Sequence, residues 1–352
     1  MPIPTLAGIA AKTIATKRLT TRVLFSGDDA AIPVLFLHGN TSSATWWEET
    51  MVSLPKNFRG IAPDQRGFGD SDPAQKIDAT RGVMDWVDDA IALLDHLGIA
   101  RAHVVGSSLG GSVVWRMLSE QPARFISAIQ VDPGSPFGFG GTKDLIGTPC
   151  WDDFAGSGGG LANPELIKRL QASDLSTESP FSPRNVLRTL ILKPPFIPRP
   201  EFEDALVMSM CAMHIGPQDN PGDAVKSAHW PFIAPGVFGA ANALAPKYAG
   251  DVSRLFTIHP KPKILWMRGS HDILVSDTAM SDVGFLGMQG LIQGWPGKEI
   301  FPPQPMIGQT RAVLEQYGAF QEVVIQDAGH APYVDKLDEF NRVLHQWLVD
   351  SG

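Results

Sequence analysis

The run Gly106-Ser107-Ser108-Leu109-Gly110 lies between the apolar stretch His103-Val104-Val105 and the helix-forming Gly111-Ser112-Val113-Val114-Trp115-Arg116-Met117-Leu118. A strand that passes straight into a helix through so tight a turn needs small residues two before and two after its apex, because the two backbones nearly touch there. Ser108 has glycine at both of those positions; Ser107 does not. A serine at such an apex projects its hydroxyl from the sheet edge, where a nucleophile would sit. The bare pattern is shared by structural loops, so the reading rests on partners elsewhere in the chain.

A β-α-β-α rhythm surrounds this turn. Residues 13–20 and 22–25 alternate as strands do, and Val34-Leu35-Phe36-Leu37 is continuously apolar, the mark of a strand buried on both faces. Residues 58–63 form a weaker strand that leads into Asp64-Gln65-Arg66-Gly67-Phe68-Gly69-Asp70-Ser71. Val83, Trp86, Val87, Ala90, Ile91, Leu94 and Leu97 then keep helical spacing up to Gly98. With a further strand at 126–131, the rhythm implies a parallel sheet covered by helices. It stops at Asp132-Pro133-Gly134 and resumes with strands at 263–267 and 321–325, closing on a helix that carries Phe340, Val343, Leu344, Trp347 and Leu348. The expected organisation is an α/β core of residues 1–134 and 263–352 and a mostly helical cap, or lid, of residues 135–262. Helical patches are expected in the cap near 164–172, 184–192 and 201–213, with no clear strand. Glycine density marks 156–160 and 284–297 as expected lid hinges.

Composition bounds the function class. No apolar run approaches the roughly 20 positions that a bilayer span requires, and the first 17 residues lack the basic start of a secretory signal, so a cytoplasmic location is expected. The 29 basic and 37 acidic residues give a net charge of -8 with no Lys/Arg block, which argues against a phosphate-backbone partner. A small-molecule substrate is expected, with no nucleic acid and no membrane; a homodimer is an open assembly state. Cys150 and Cys211 stand in apolar surroundings and are expected as free thiols.

A serine hydroxyl attacks at neutral pH only if an oriented base takes its proton. His330 follows the last strand directly, and in an open α/β sheet the C-terminal strand ends gather on one edge. Asp272, at the end of strand 263–267, is the expected orienting acid. Asp132 is its rival at the end of the preceding strand, and the order Ser…Asp…His holds with either. Negative charge on an attacked carbonyl oxygen calls for fixed N–H donors; Leu109 and Asn40 are the candidates, and His38 fits the architecture of its loop better than a second base.

His38-Gly39-Asn40, the Asp64–Ser71 loop, Gly106-Ser107-Ser108-Leu109-Gly110, Gly269-Ser270-His271-Asp272 and Gly329-His330 together resemble the successive signatures of the α/β-hydrolase fold superfamily, in its serine-nucleophile branch with an inserted helical cap. The resemblance covers roughly residues 20–134 and 260–350. It implies a mostly parallel eight-stranded sheet flanked by helices, with a mostly helical cap after strand six. Position by position it implies Ser108 as nucleophile, Asp272 as acid, His330 as base, and Asn40 with Leu109 as oxyanion donors. Two features depart from it: Asp272 and His330 are 58 positions apart, with an extra loop at 284–305, and the cap is large and matches no subfamily.

Superfamily members that open epoxides or remove halide use a carboxylate nucleophile, so serine at position 108 speaks against both. No His-Glu-x-x-His pattern, Cys/His cluster or glycine-rich phosphate turn is present, and neither metal nor cofactor is expected. The leading expectation is acyl transfer from an ester or lactone through an acyl-enzyme. Trp46, Trp47, Met213 and Trp230 are the candidate pocket residues and suggest a small, largely apolar substrate. The alternatives are hydrolysis of a carbon–carbon bond in a diketone-type substrate, cleavage of a terminal amide, and a triad-bearing small-molecule receptor with little turnover.

Overall fold

The computed structural model describes residues 3–351. Eight strands build its main sheet: β1 (Ala10–Ala15), β2 (Thr20–Ser26), β3 (Ile32–Leu37), β4 (Phe58–Pro63), β5 (Ala102–Ser107), β6 (Phe125–Val131), β7 (Lys263–Gly269) and β8 (Phe320–Ile325). Their spatial order is β1-β2-β4-β3-β5-β6-β7-β8, and β2 alone runs against its neighbours. All six residues of β5 are buried, so helices must cover both faces of the sheet. Helix α1 (Met84–His96) packs on α2 (Leu109–Glu120), while the C-terminal helix Leu337–Ser351 packs on the short helix Glu48–Ser53 and on β6.

The first expected strand, 13–20, is divided by a turn. Thr16 N–H donates to Leu19 O at 3.0 Å, and the Thr16 hydroxyl accepts from the Arg18 and Leu19 N–H groups, so a local side-chain bond reverses the chain where alternation suggested continuity. Between β6 and β7 lie the helix Pro164–Gln171, the helix Pro183–Val186 continued as one π-turn over Leu187–Ile191, and α3 (Pro200–Cys211). Each of these three helices has proline in its first turn, where a missing N–H costs nothing. The same segment also carries four very short strands, paired Ile215–Gly216 with Asn220–Pro221 and Ala224–Lys226 with Ile233–Pro235. Strands of two or three residues have no periodicity to read.

The glycine tract 156–160, expected as a lid hinge, is closely packed. Gly156 N–H donates to Ile233 O at 3.0 Å and Gly159 N–H to Asn242 Oδ1 at 2.8 Å. A Cβ on Gly159 would lie 2.9 Å from Pro221 O, and one on Gly160 would lie 2.8 Å from Ala224 Cβ. The 284–297 segment is also tied down. Trp230 Nε1 donates to Gln293 O at 2.9 Å, and Trp230, Phe301, Val283 and Cys150 form a satellite core that joins this segment to the one after β6. Among the described residues, no helix is long and apolar enough to cross a membrane.

Candidate active site

Ser108 ends β5 and caps α2 with φ 53° and ψ −113°, a left-handed backbone that non-glycine residues rarely adopt and that strains the chain locally. Three hydrogen bonds hold it there: Ser108 N–H to Val131 O at 3.0 Å, Gly134 N–H to Ser108 O at 3.1 Å, and Ser112 N–H to Ser108 O at 3.1 Å. The flanking glycines make the turn sterically possible. A Cβ on Gly106 would strike Gly110 O, and one on Gly110 would strike Leu37 O.

The loop after β3 comes alongside this turn. A Cβ on Gly39 would lie 3.2 Å from Ser108 Cβ and 3.8 Å from its Oγ, so only glycine lets the backbone that carries Asn40 approach the serine this closely. Leu109 is the first residue of α2, and the first N–H groups of a helix have no intrahelical partner. His38 shapes the loop. Its Nε2 accepts from Gln65 N–H at 3.0 Å, which leaves Nδ1 to donate to Gly39 O at 2.8 Å, and burial pushes its pKa down to about 4. Asp64, from the neighbouring loop, accepts from Ala44 N–H at 2.9 Å and Asp70 N–H at 3.0 Å.

His330 and Asp272 meet through Nδ1 and Oδ2 at 2.8 Å, and both are buried. The other oxygen of Asp272 accepts from Leu274 N–H at 2.7 Å and Val275 N–H at 3.0 Å, two donors that fix its plane. The loop of His330 is fixed from the segment after β6: His330 N–H donates to Ile191 O at 2.8 Å, while Asp335 Oδ2 accepts from Gly329 N–H at 2.8 Å and Lys193 N–H at 2.9 Å. Ser108, Asp132, Asp272 and His330 thus follow four successive strands, β5, β6, β7 and β8, at the same edge of the sheet. Strands lie about 4.8 Å apart, so four neighbours span a distance that loops close easily.

Asp132 does not reach His330 as its hydrogen-bond partner; its carboxylate accepts Gly269 N–H at 3.1 and 3.2 Å. It nevertheless lies with Asp272 and His330 in one buried group, with one polar atom of each within 4.8 Å of the others. A metal is poorly served here, because two backbone N–H groups and the imidazole already occupy the oxygens of Asp272.

The four expected pocket residues separate. Trp47 is a core residue, fully buried and stacked on Tyr333 with ring centroids 4.1 Å apart and beside Phe36. Trp230 is an anchor in the satellite core, edge-on to Phe301 at 4.9 Å with its N–H committed to Gln293. Trp46 donates from Nε1 to Ser209 Oγ at 2.7 Å, tying the loop after β3 to α3, and Met213 is buried in the main core just beyond α3. Spacing gave no sign of Tyr333, which is buried at this edge and stacked on Trp47. Its position three residues after His330 was the available signal.

A model of the α/β-hydrolase fold matches residues 32–148, a stretch that includes the serine turn and Asn40. The chain is 31% identical over 124 residues to the uncharacterized carboxylesterase nap of Bacillus subtilis, which is 35% of this chain and 41% of that protein. It is 38% identical over 98 residues to 2-hydroxymuconate semialdehyde hydrolase of Pseudomonas sp. strain CF600, covering 27% of this chain and 34% of that protein. The alignments therefore span well under half the length of these curated relatives. In three dimensions, the carboxylesterase CesB (YbfK) of Bacillus subtilis superposes with a TM-score of 0.61 over 97% of this chain and 91% of that one, at 17% identity. Sheet order, strained serine turn, matched segment and near full-length superposition agree: this chain carries the α/β-hydrolase fold.

Proposed function

We propose that this chain is a cofactor-independent serine hydrolase that cleaves a carboxylic ester or lactone of a small, largely apolar substrate. The observation that carries the proposal is the 2.8 Å bond between His330 Nδ1 and Asp272 Oδ2 at the sheet edge where Ser108 is held in a strained turn. With Nδ1–H committed to the carboxylate, Nε2 is left as the proton acceptor a serine needs. Ser108 Oγ attacks the carbonyl carbon while His330 takes its proton. The oxyanion is held by the Asn40 and Leu109 N–H groups, and His330 returns the proton to the leaving alcohol. Water then repeats the cycle on the acyl-enzyme. In this reading residues 135–262 act as a cap over a core of 1–134 and 263–352, with Trp46 and Met213 on the substrate side. The expected setting is the cytoplasm, with a small molecule as the partner.

The test is hydrolysis of chromogenic esters from acetyl to decanoyl, with Ser108→Ala as control and folding checked by circular dichroism. Turnover lost on substitution supports the proposal; turnover retained by the variant refutes it. A second reading, hydrolysis of a carbon–carbon bond, has the 38% match to 2-hydroxymuconate semialdehyde hydrolase behind it. Cleavage of a phenolic diketone in the absence of esterase activity would select it.

A further inference from the structure

Asp132 is an acid at this edge that the proposed mechanism leaves unused, and its surroundings are unlike those of a turn-closing aspartate. It is buried, its backbone is in the left-handed region at φ 41°, and its N–H donates to Met267 O at 2.9 Å, which fixes the end of β6 against β7. A carboxyl oxygen of Asp132 lies within 4.8 Å of one of the Asp272 carboxylate. Two buried carboxylates this close cannot both be ionised; one must hold a proton.

The donor sets decide which. Asp272 receives two backbone N–H bonds and the imidazole, at 2.7, 3.0 and 2.8 Å. Asp132 receives a single N–H, from Gly269, shared between its two oxygens. Asp132 is the partner with fewer donors to hold a negative charge. The other charged or titratable groups that act on Asp132 are Arg268 and Tyr333, with His330 in the same buried group. The Arg268 guanidinium is already bonded to Glu322 at 2.8 Å.

We propose that Asp132 is a positioning residue that remains protonated at neutral pH and donates its O–H to the Asp272 carboxylate, thereby holding that carboxylate in line with His330. Burial first, and then the charge of Asp272, press the Asp132 carboxyl well above the ordinary carboxylate range, in agreement with this assignment. The inference rests on the proposed catalytic roles of Asp272 and His330. A donated O–H withdraws charge from Asp272 and so weakens its pull on the imidazole proton.

The test compares the acidic limb of the kcat/KM profile for wild type, Asp132→Asn and Asp132→Ala. Asparagine keeps a donor and removes no charge from a neutral site, so the limb stays where wild type has it. Alanine removes the donor, and the limb rises by about half to one pH unit, the size of one hydrogen bond expressed as proton affinity. A limb that falls in Asp132→Asn means that Asp132 carried the charge, and a limb unmoved in Asp132→Ala means that it only fills space; either result overturns the proposal. A second readout needs no turnover and so separates this inference from the proposed function. The infrared difference between wild type and each variant at neutral pH must show loss of a protonated-carboxyl band. Its absence refutes the assignment whatever the activity.

Discussion

Asp272→Asn tests the geometry of the site most sharply, because the structure determines how the new amide must sit. The Leu274 and Val275 N–H groups, at 2.7 and 3.0 Å from Oδ1, require an acceptor at that position. Reversing the amide would set its NH2 against both donors and leave two buried N–H groups unpaired, at about 1–3 kcal/mol each. The amide oxygen therefore faces these donors and the NH2 faces His330 Nδ1. An imidazole opposite a donor must accept through Nδ1 and carry its hydrogen on Nε2, the tautomer that cannot take a proton from serine. Triads respond to this change by about 10⁴ in kcat, roughly 5.5 kcal/mol of transition-state stabilisation. The assay is the rate at which a fluorophosphonate probe labels Ser108, which needs no knowledge of the natural substrate. Labelling of Asp272→Asn should be slower by three to four orders of magnitude, while urea unfolding moves by less than about 1 kcal/mol because the backbone donors stay paired. A variant that labels within tenfold of wild type would refute the argument that the His330–Asp272 bond sets the tautomer.

Ser108→Gly removes a Cβ from the left-handed region and should raise stability by about 1 kcal/mol in urea while abolishing probe labelling; a loss of stability would contradict stored strain at the turn. Trp47→Ala empties a fully buried site stacked on Tyr333 and should cost about 3–5 kcal/mol by thermal melting, whereas a residue lining a pocket would mainly change KM. His38 and His103 are buried with pKa values depressed to about 4, so between pH 6.5 and 4 the unfolded chain binds protons that the folded one refuses. That makes stability fall with pH across this window, by about 3 kcal/mol per histidine once pH 4 is reached. The buried Asp64 and Asp282 have raised values and act in the opposite sense, so the clean measurement is a difference. His103→Gln should flatten the slope of urea stability against pH relative to wild type, and an unchanged slope would refute the assignment.

How much of this could be read from the sequence depends on the range over which each signal acts. The sheet was legible because continuous apolar runs such as Val34–Leu37 and the fully buried β5 carry their burial in their own composition. The serine turn was legible because its sterics require glycine within two residues of Ser108 on both sides. The division at residues 16–19 was not, because a threonine hydroxyl reverses the chain without breaking the alternation. Glycines at 156–160 suggested motion, yet they serve contacts with Pro221 and Ala224 more than 60 positions away, and no local pattern records such a partner. The places of Trp47 and Trp230 were hidden for the same reason: an indole is equally suited to a substrate wall and to a core, and no local pattern records Tyr333 or Gln293 beside it. The acids show the limit most clearly. Asp132 and Asp272 each end a strand, and a one-dimensional reading makes them rivals for a single role. Because β6 and β7 are neighbours in register, the fold brings both carboxyl groups together, and only that of Asp272 bonds to His330.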